Sequence, residues 1–149
     1  HALGRDAVHV VDRRDDVRCG WLDAVGVRYA AELSDVDELA LSLLDVLLGL
    51  GELKLCVGYR LDGREVGVWP GGGEPFAPEV MDRAEPVYET LDGWSEDIGG
   101  CRRIEDLPAA ARQYIARIEQ AVGRPVGVVS VGQDREQTIF CGSLVAGGE

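Results

Sequence analysis

The residues best placed to do chemistry follow a strand. Val126 to Val131 is an apolar run, and Ser130-Val131-Gly132-Gln133-Asp134-Arg135 forms its exit. In α/β sheets, ligands bind beyond the carboxyl ends of strands. Ser130 supplies a hydroxyl there, and Gly132 permits close approach to the backbone. Asp134 and Arg135 can pair with each other or with a neighbouring element. An exposed pair of that kind is worth ~0–1 kcal/mol, so an ordinary strand exit is the competing reading. Asp45 is the second candidate, because it stands among five leucines and a valine in residues 41–48. A carboxylate in such a run must be paired or must lie at a strand end. It either caps a turn before Gly49 or accepts two donors from a purine edge.

Other chemistry finds less support. His1 and His9 are the only histidines, and both read as surface residues rather than a base or a metal ligand. A Ser-His-Asp set drawn from Ser130, His9 and Asp134 lacks a nucleophile elbow. Cys19, Cys56, Cys101 and Cys141 are widely spaced with no CxxC pair, so they read as free thiols rather than a zinc or redox motif. Glu96-Asp97 and Glu105-Asp106 read as caps of turns or helix starts. Gly71-Gly72-Gly73 lacks the Lys-Ser/Thr of a phosphate loop, and the excursion from Pro70 to Pro78 reads as flexible. No catalytic residue and no metal site is expected.

The elements that must position these candidates follow from apolar spacing. Gly20 to Leu33 reads as a helix, with Trp21, Ala24, Val25, Arg28 and Tyr29 on one face and Asp23 suited to its N-terminus. Leu39 to Leu47 reads as a strand covered on both faces. Leu53–Leu61 and Arg64–Trp69 flank Asp62-Gly63, a strong hairpin signal. Pro86 to Leu91 reads as a short strand before Asp92-Gly93. Leu107 to Val122 is the clearest helix, stopped by Gly123 and Pro125. Thr138 to Cys141 reads as a last strand, and Val8 to Val11 as a further short one. The order predicts an α/β fold, a layered mixed sheet with flanking helices.

The chain has 149 residues, the size of one domain or part of one, with an irregular segment at 1–18 and a loose tail at 142–149. A formal net charge of −12 repels phosphate backbones, which disfavours nucleic acid as a partner. No apolar run is long enough to span a bilayer and no secretory leader is visible, so a cytoplasmic protein without a membrane role is expected. The sequence begins with His1 rather than Met, which predicts processing, tagging or truncation.

Several segments, in order, resemble the adenylosuccinate synthetase family. They are Arg18-Cys19-Gly20-Trp21-Leu22-Asp23-Ala24-Val25, Leu44-Asp45-Val46-Leu47 with Gly49-Leu50, and Leu53 to Tyr59. Further along come Glu85 to Leu91 with Gly93-Trp94-Ser95-Glu96, then Leu107-Pro108 to Gly123, and Ser130-Val131-Gly132 with Asp134-Arg135. The likeness is to the C-terminal portion of the family's chain only. It implies the corresponding part of that fold, and a link to the GTP-dependent ligase that joins IMP and L-aspartate in purine synthesis using Mg²⁺. It further implies that Asp45, Ser130, Gly132 and Gln133 recognise the guanine of GTP, and that Arg18 contacts substrate or nucleotide.

The departures shape the expectation. Leu43 stands where the family has lysine, Leu48 where it has a second aspartate, and Gln133 where it has proline. Asp15-Asp16-Val17-Arg18 replaces a stretch rich in arginine and threonine, and aspartates there repel phosphate and carboxylate. The family's phosphate loop, catalytic aspartate and catalytic histidine have no counterpart in these residues. The chain alone is therefore expected to be inactive, with weak nucleotide binding at most. A missing N-terminal half or self-association is expected to complete it, the family being homodimeric. The alternative is a non-catalytic interaction module derived from that fold.

Overall fold

The computed structural model describes residues 8–9, 18–66 and 78–141. Two short strands, β1 (Val8–His9) and β2 (Arg18–Cys19), pair antiparallel. Then follow β3 (Leu22–Asp23), α1 (Ala24–Leu33), β4 (Leu39–Leu41), β5 (Glu52–Leu61) and β6 (Arg64–Val66). The series closes with α2 (Pro78–Arg83), β7 (Ala84–Asp92), α3 (Ala109–Val122), β8 (Val126–Ser130) and β9 (Thr138–Phe140). Single 3₁₀ turns lie at Leu44–Leu47, Ile104–Asp106 and Arg135–Gln137.

Two mixed sheets carry the fold. In the first, β5 is central: β7 runs antiparallel along one edge, while parallel β3 and antiparallel β6 share the other. In the second, β8 lies between parallel β4 and antiparallel β9. The expected layered α/β class is therefore observed.

The hairpin at Asp62-Gly63 forms, with positive φ at both residues (49° and 79°), as a two-residue turn matched to strand twist requires. α3 buries Ala111, Tyr114, Ile115, Ile118 and Val122, the stripe its periodicity predicts. It stops at Gly123, whose φ of 74° sets a left-handed cap and whose N–H donates to the Glu119 carbonyl at 2.8 Å.

Some expectations need correction. Residues 39–47 are not one buried strand. β4 ends at Leu41, Leu43 has φ 55°, and a 3₁₀ turn follows. A left-handed residue breaks a strand, and a run of leucines carries no period to reveal this. β4 is also half-buried rather than covered on both faces. α1 starts at Ala24 rather than Gly20, because Leu22 and Asp23 pair with Leu55 and Cys56 first. β7 begins at Ala84, ahead of the expected strand, and α2 has no counterpart in the expectations. Residues 10–11 of the expected strand Val8–Val11, residues 67–69 of the expected strand Arg64–Trp69, most of the Pro70–Pro78 excursion and the 142–149 tail lie outside the described residues.

β5 faces two cores. Leu53 and Leu55 enter the main core with α3, β8 and Trp94, whereas Cys56 and Tyr59 pack with Val25 in a smaller cluster. Strict alternation would put Tyr59 on the face of Leu55. The register against β7 slips between Cys56 and Gly58, and this bulge turns Tyr59 to the face of Cys56.

Candidate functional site

The parallel pairing of β4 with β8 aligns Leu39, Ala40 and Leu41 with Val126, Val128 and Val129. Parallel strands release their following segments at the same end. The 3₁₀ turn at Leu44–Leu47 and the loop from Val131 to Asp134 therefore leave the sheet side by side, bringing Asp45 and Ser130 to one end of it. Leu44, 3% exposed, anchors the turn in the main core. Leu43 enters it in the left-handed region, a conformation costing about 1–3 kcal/mol for a residue with a side chain. Strain of this kind concentrates at functional loops.

Within this frame Asp45 Oδ1 is buried with no hydrogen-bond partner, while the Asp45 carbonyl accepts the Leu48 N–H at 3.0 Å. The side chain thus does not cap the turn. A buried acceptor without a donor is costly and calls for an explanation.

The neighbouring loop is internally fixed. Ser130 Oγ donates to the Gly132 carbonyl at 2.6 Å, and the Val131 N–H donates to the Gln137 carbonyl at 2.8 Å. The Gln137 side chain accepts the Asp134 N–H at 3.1 Å and donates to the Gly99 carbonyl at 3.2 Å. Gly132 is buried beneath it: a Cβ there would lie 2.1 Å from Gln137 Oε1. Gln137 is the loop residue that sequence reasoning missed, because its contacts span 38 positions in sequence. Gln133 is exposed, as are Asp134 and Arg135. Arg18 falls in β2, outside both mixed sheets, and its side chain lies outside the described residues.

A second polar cluster lies on the other face of β5. Asp23 caps α1, its Oδ1 accepting the N–H groups of Val25 and Gly26 at 3.0 Å each, and its Oδ2 accepts the Tyr59 hydroxyl at 2.5 Å. Burial, then the Asp23 carboxylate, pushes the Cys56 thiol up to about 11. Burial and the hydrogen bond to Asp23 push Tyr59 up as well. Both groups stay protonated at neutral pH, so neither is an activated nucleophile. This cluster ties helix to sheet.

A cleft of about 270 Å³ opens beside the 3₁₀ turn, lined by Leu22, Leu41, Leu43, Val46 and Tyr114 among others. A broader depression along α3 includes Arg117 and Arg124, which are already engaged. Arg117 pairs with Glu89 at 2.7 Å, and Arg124 donates to the Val36 carbonyl at 2.7 Å. Among the described residues no group of three or more His, Cys, Asp or Glu side chains is placed to hold a metal ion. No described helix is long and apolar enough to cross a membrane.

The fold and the site at the strand ends define a piece of a layered α/β protein with a solved counterpart. The fully ligated adenylosuccinate synthetase from Plasmodium falciparum matches with a TM-score of 0.80 and 35% identity, over 87% of this chain and 30% of that one. The family model for adenylosuccinate synthetase matches residues 3–139. The chain belongs to the adenylosuccinate synthetase family. It is 51% identical over 122 residues to the synthetase of Desulforudis audaxviator and 52% identical over 123 residues to that of Edwardsiella ictaluri, covering 82% of this chain in each case. It spans 27% of the length of these relatives.

Proposed function

We propose that this chain supplies part of the guanine pocket of an adenylosuccinate synthetase, the GTP-dependent ligase of IMP and L-aspartate, and is not catalytic alone. The observation that carries this reading is the buried, unpartnered Asp45 Oδ1. Guanine offers a ring N–H and an exocyclic amine as adjacent donors, and a carboxylate can accept both, whereas adenine offers no such pair along that edge. The Ser130 hydroxyl and the backbone of Gly132 and Gln133 flank the same end of the sheet. Gln133, exposed, contributes backbone rather than a fixed side chain. A role for Arg18 toward phosphate or substrate belongs to the same reading.

Mg²⁺, which serves the γ-phosphate in the family's reaction, has no fitting ligand set among the described residues. The phosphate-handling groups belong elsewhere in the family's chain. Electrostatic stabilisation of the transferring phosphoryl group dominates such catalysis, so binding a base without it gives no turnover.

Titrating GTP, GDP and ATP into the chain by calorimetry tests this. Weak binding selective for guanine, abolished by Asp45→Ala, is expected. Equal response to adenine and guanine nucleotides, or an Asp45→Ala titration like that of the parent, overturns it. Steady formation of adenylosuccinate from IMP, aspartate and GTP by the chain alone would overturn the non-catalytic part. The second reading, an interaction module without nucleotide binding, is favoured by the exposed Leu43, Val46 and Leu48.

A further inference from the structure

We propose, on the guanine reading above, that Gln137 is a positioning residue for base recognition. It holds the loop from Val131 to Asp134 in the shape that meets guanine, without itself touching the nucleotide.

One residue grips this loop at both ends. The Gln137 main-chain carbonyl accepts the Val131 N–H at 2.8 Å, and its side-chain Oε1 accepts the Asp134 N–H at 3.1 Å. Between these two points lie Gly132 and Gln133, and among the described residues nothing accepts their N–H groups. They are the loop's backbone donors left for a ligand, and Gln137 fixes the chain on either side of them.

Satisfying the Asp134 N–H from three residues along is ordinary helix-start geometry. Two features go beyond it. The side chain packs against Gly132, where a Cβ would lie 2.1 Å from Oε1 and 2.6 Å from Nε2. Its Nε2 also donates to the Gly99 carbonyl at 3.2 Å, 38 positions away. That carbonyl is itself a fixed point. Arg102 Nη1 donates to it at 2.9 Å, the Gly99 N–H donates to Asp97 Oδ1 at 2.9 Å, and neighbouring Ile98 is buried in the main core. The amide therefore ties the base-facing loop to the core. The two bonds also dictate the residue type, since the Asp134 N–H needs an acceptor and the Gly99 carbonyl a donor. Glutamate offers only the acceptor, asparagine is one methylene short, and methionine fills the space but makes neither bond. A loop held in its binding shape avoids the entropy of ordering, so releasing it weakens guanine binding although no contact to the base is removed.

The test titrates GTP and ATP into the chain and into its Gln137→Met and Gln137→Glu variants by calorimetry, and follows the Gly132 and Gln133 amides by NMR. Circular dichroism checks that each variant folds. Gln137→Met should weaken GTP binding at least about tenfold, the loss expected from one or two hydrogen bonds, and leave the response to ATP unchanged. Gln137→Glu, which keeps the Asp134 bond, should fall between that variant and the parent. The Gly132 and Gln133 amide signals should shift with GTP in the parent and shift less in Gln137→Met at the same GTP concentration. A general loss of stability would neither separate the two nucleotides nor rank the variants in this way. Parent-like GTP affinity in Gln137→Met overturns the proposal, as do GTP and ATP responses that fall together. If Gln137→Met does not fold, Gln137→Glu decides, and parent-like GTP affinity there overturns it. A parent without guanine preference removes the guanine reading and the role of Gln137 together. A guanine-selective parent that loses binding in Asp45→Ala but not in the Gln137 variants removes the role of Gln137 alone.

Discussion

Asp23 does three jobs with one carboxylate. It ends β3, caps α1 and accepts the Tyr59 hydroxyl. Asp23→Ala should cost about 2–4 kcal/mol, the sum of a lost cap and a lost hydrogen bond from a buried hydroxyl. Asp23→Asn, which keeps an acceptor, should cost clearly less. Urea denaturation at neutral pH separates the two, and equal losses would remove the shared-carboxylate account. The same cluster sets an alkaline limit. Cys56 titrates near 11 in the folded chain, above its ordinary value, and Tyr59 is shifted in the same direction. The unfolded chain therefore loses these protons first. The Cys56 contribution to stability is complete below the ordinary thiol range and is lost as pH rises toward 11, whereas that of Tyr59 begins to fall only above the ordinary phenol range. The urea midpoint should fall over that interval, and Cys56→Ala should flatten the fall. Cys56 should also resist alkylation in the folded chain far more than exposed Cys141.

At the scale of elements, local signals read well and left-handed or long-range ones did not. The Asp62-Gly63 hairpin, the α3 stripe and β8 each carry a period or a turn signature within a few residues, and each forms as read. The 39–47 stretch failed because Leu43 adopts a positive φ that no leucine announces. α1 started late because its cap depends on a partner strand 33 positions away, Leu22 facing Leu55. The candidate site was legible in part. Asp45 drew notice as a charge among leucines, but its unpartnered oxygen is a fact of packing. Gly132 was read as room for a ligand, whereas here it makes room for Gln137. Gly132→Ala should therefore distort the loop and cost about 1–3 kcal/mol, as overpacking does. The double variant Gly132→Ala, Gln137→Ala should recover part of that loss. Thermal melts of the four proteins in the cycle check this, and strict additivity would argue against the contact.

The whole molecule is organised around β5, which the bulge after Cys56 lets serve the main core with Leu53 and Leu55 and the smaller one with Cys56 and Tyr59. The main core in turn joins this sheet to β8 and β9 through Val126, Val129 and Ile139, together with buried residues of α3. A strand shared in this way denies the molecule any partial route to unfolding through its centre. Neither hydrophobic cluster can come apart while the other stays intact, since both would have to release the same backbone. The central amides of β5 should then exchange only when the entire structure opens, with one common free energy, while the edge strand β4 opens on its own at lower cost.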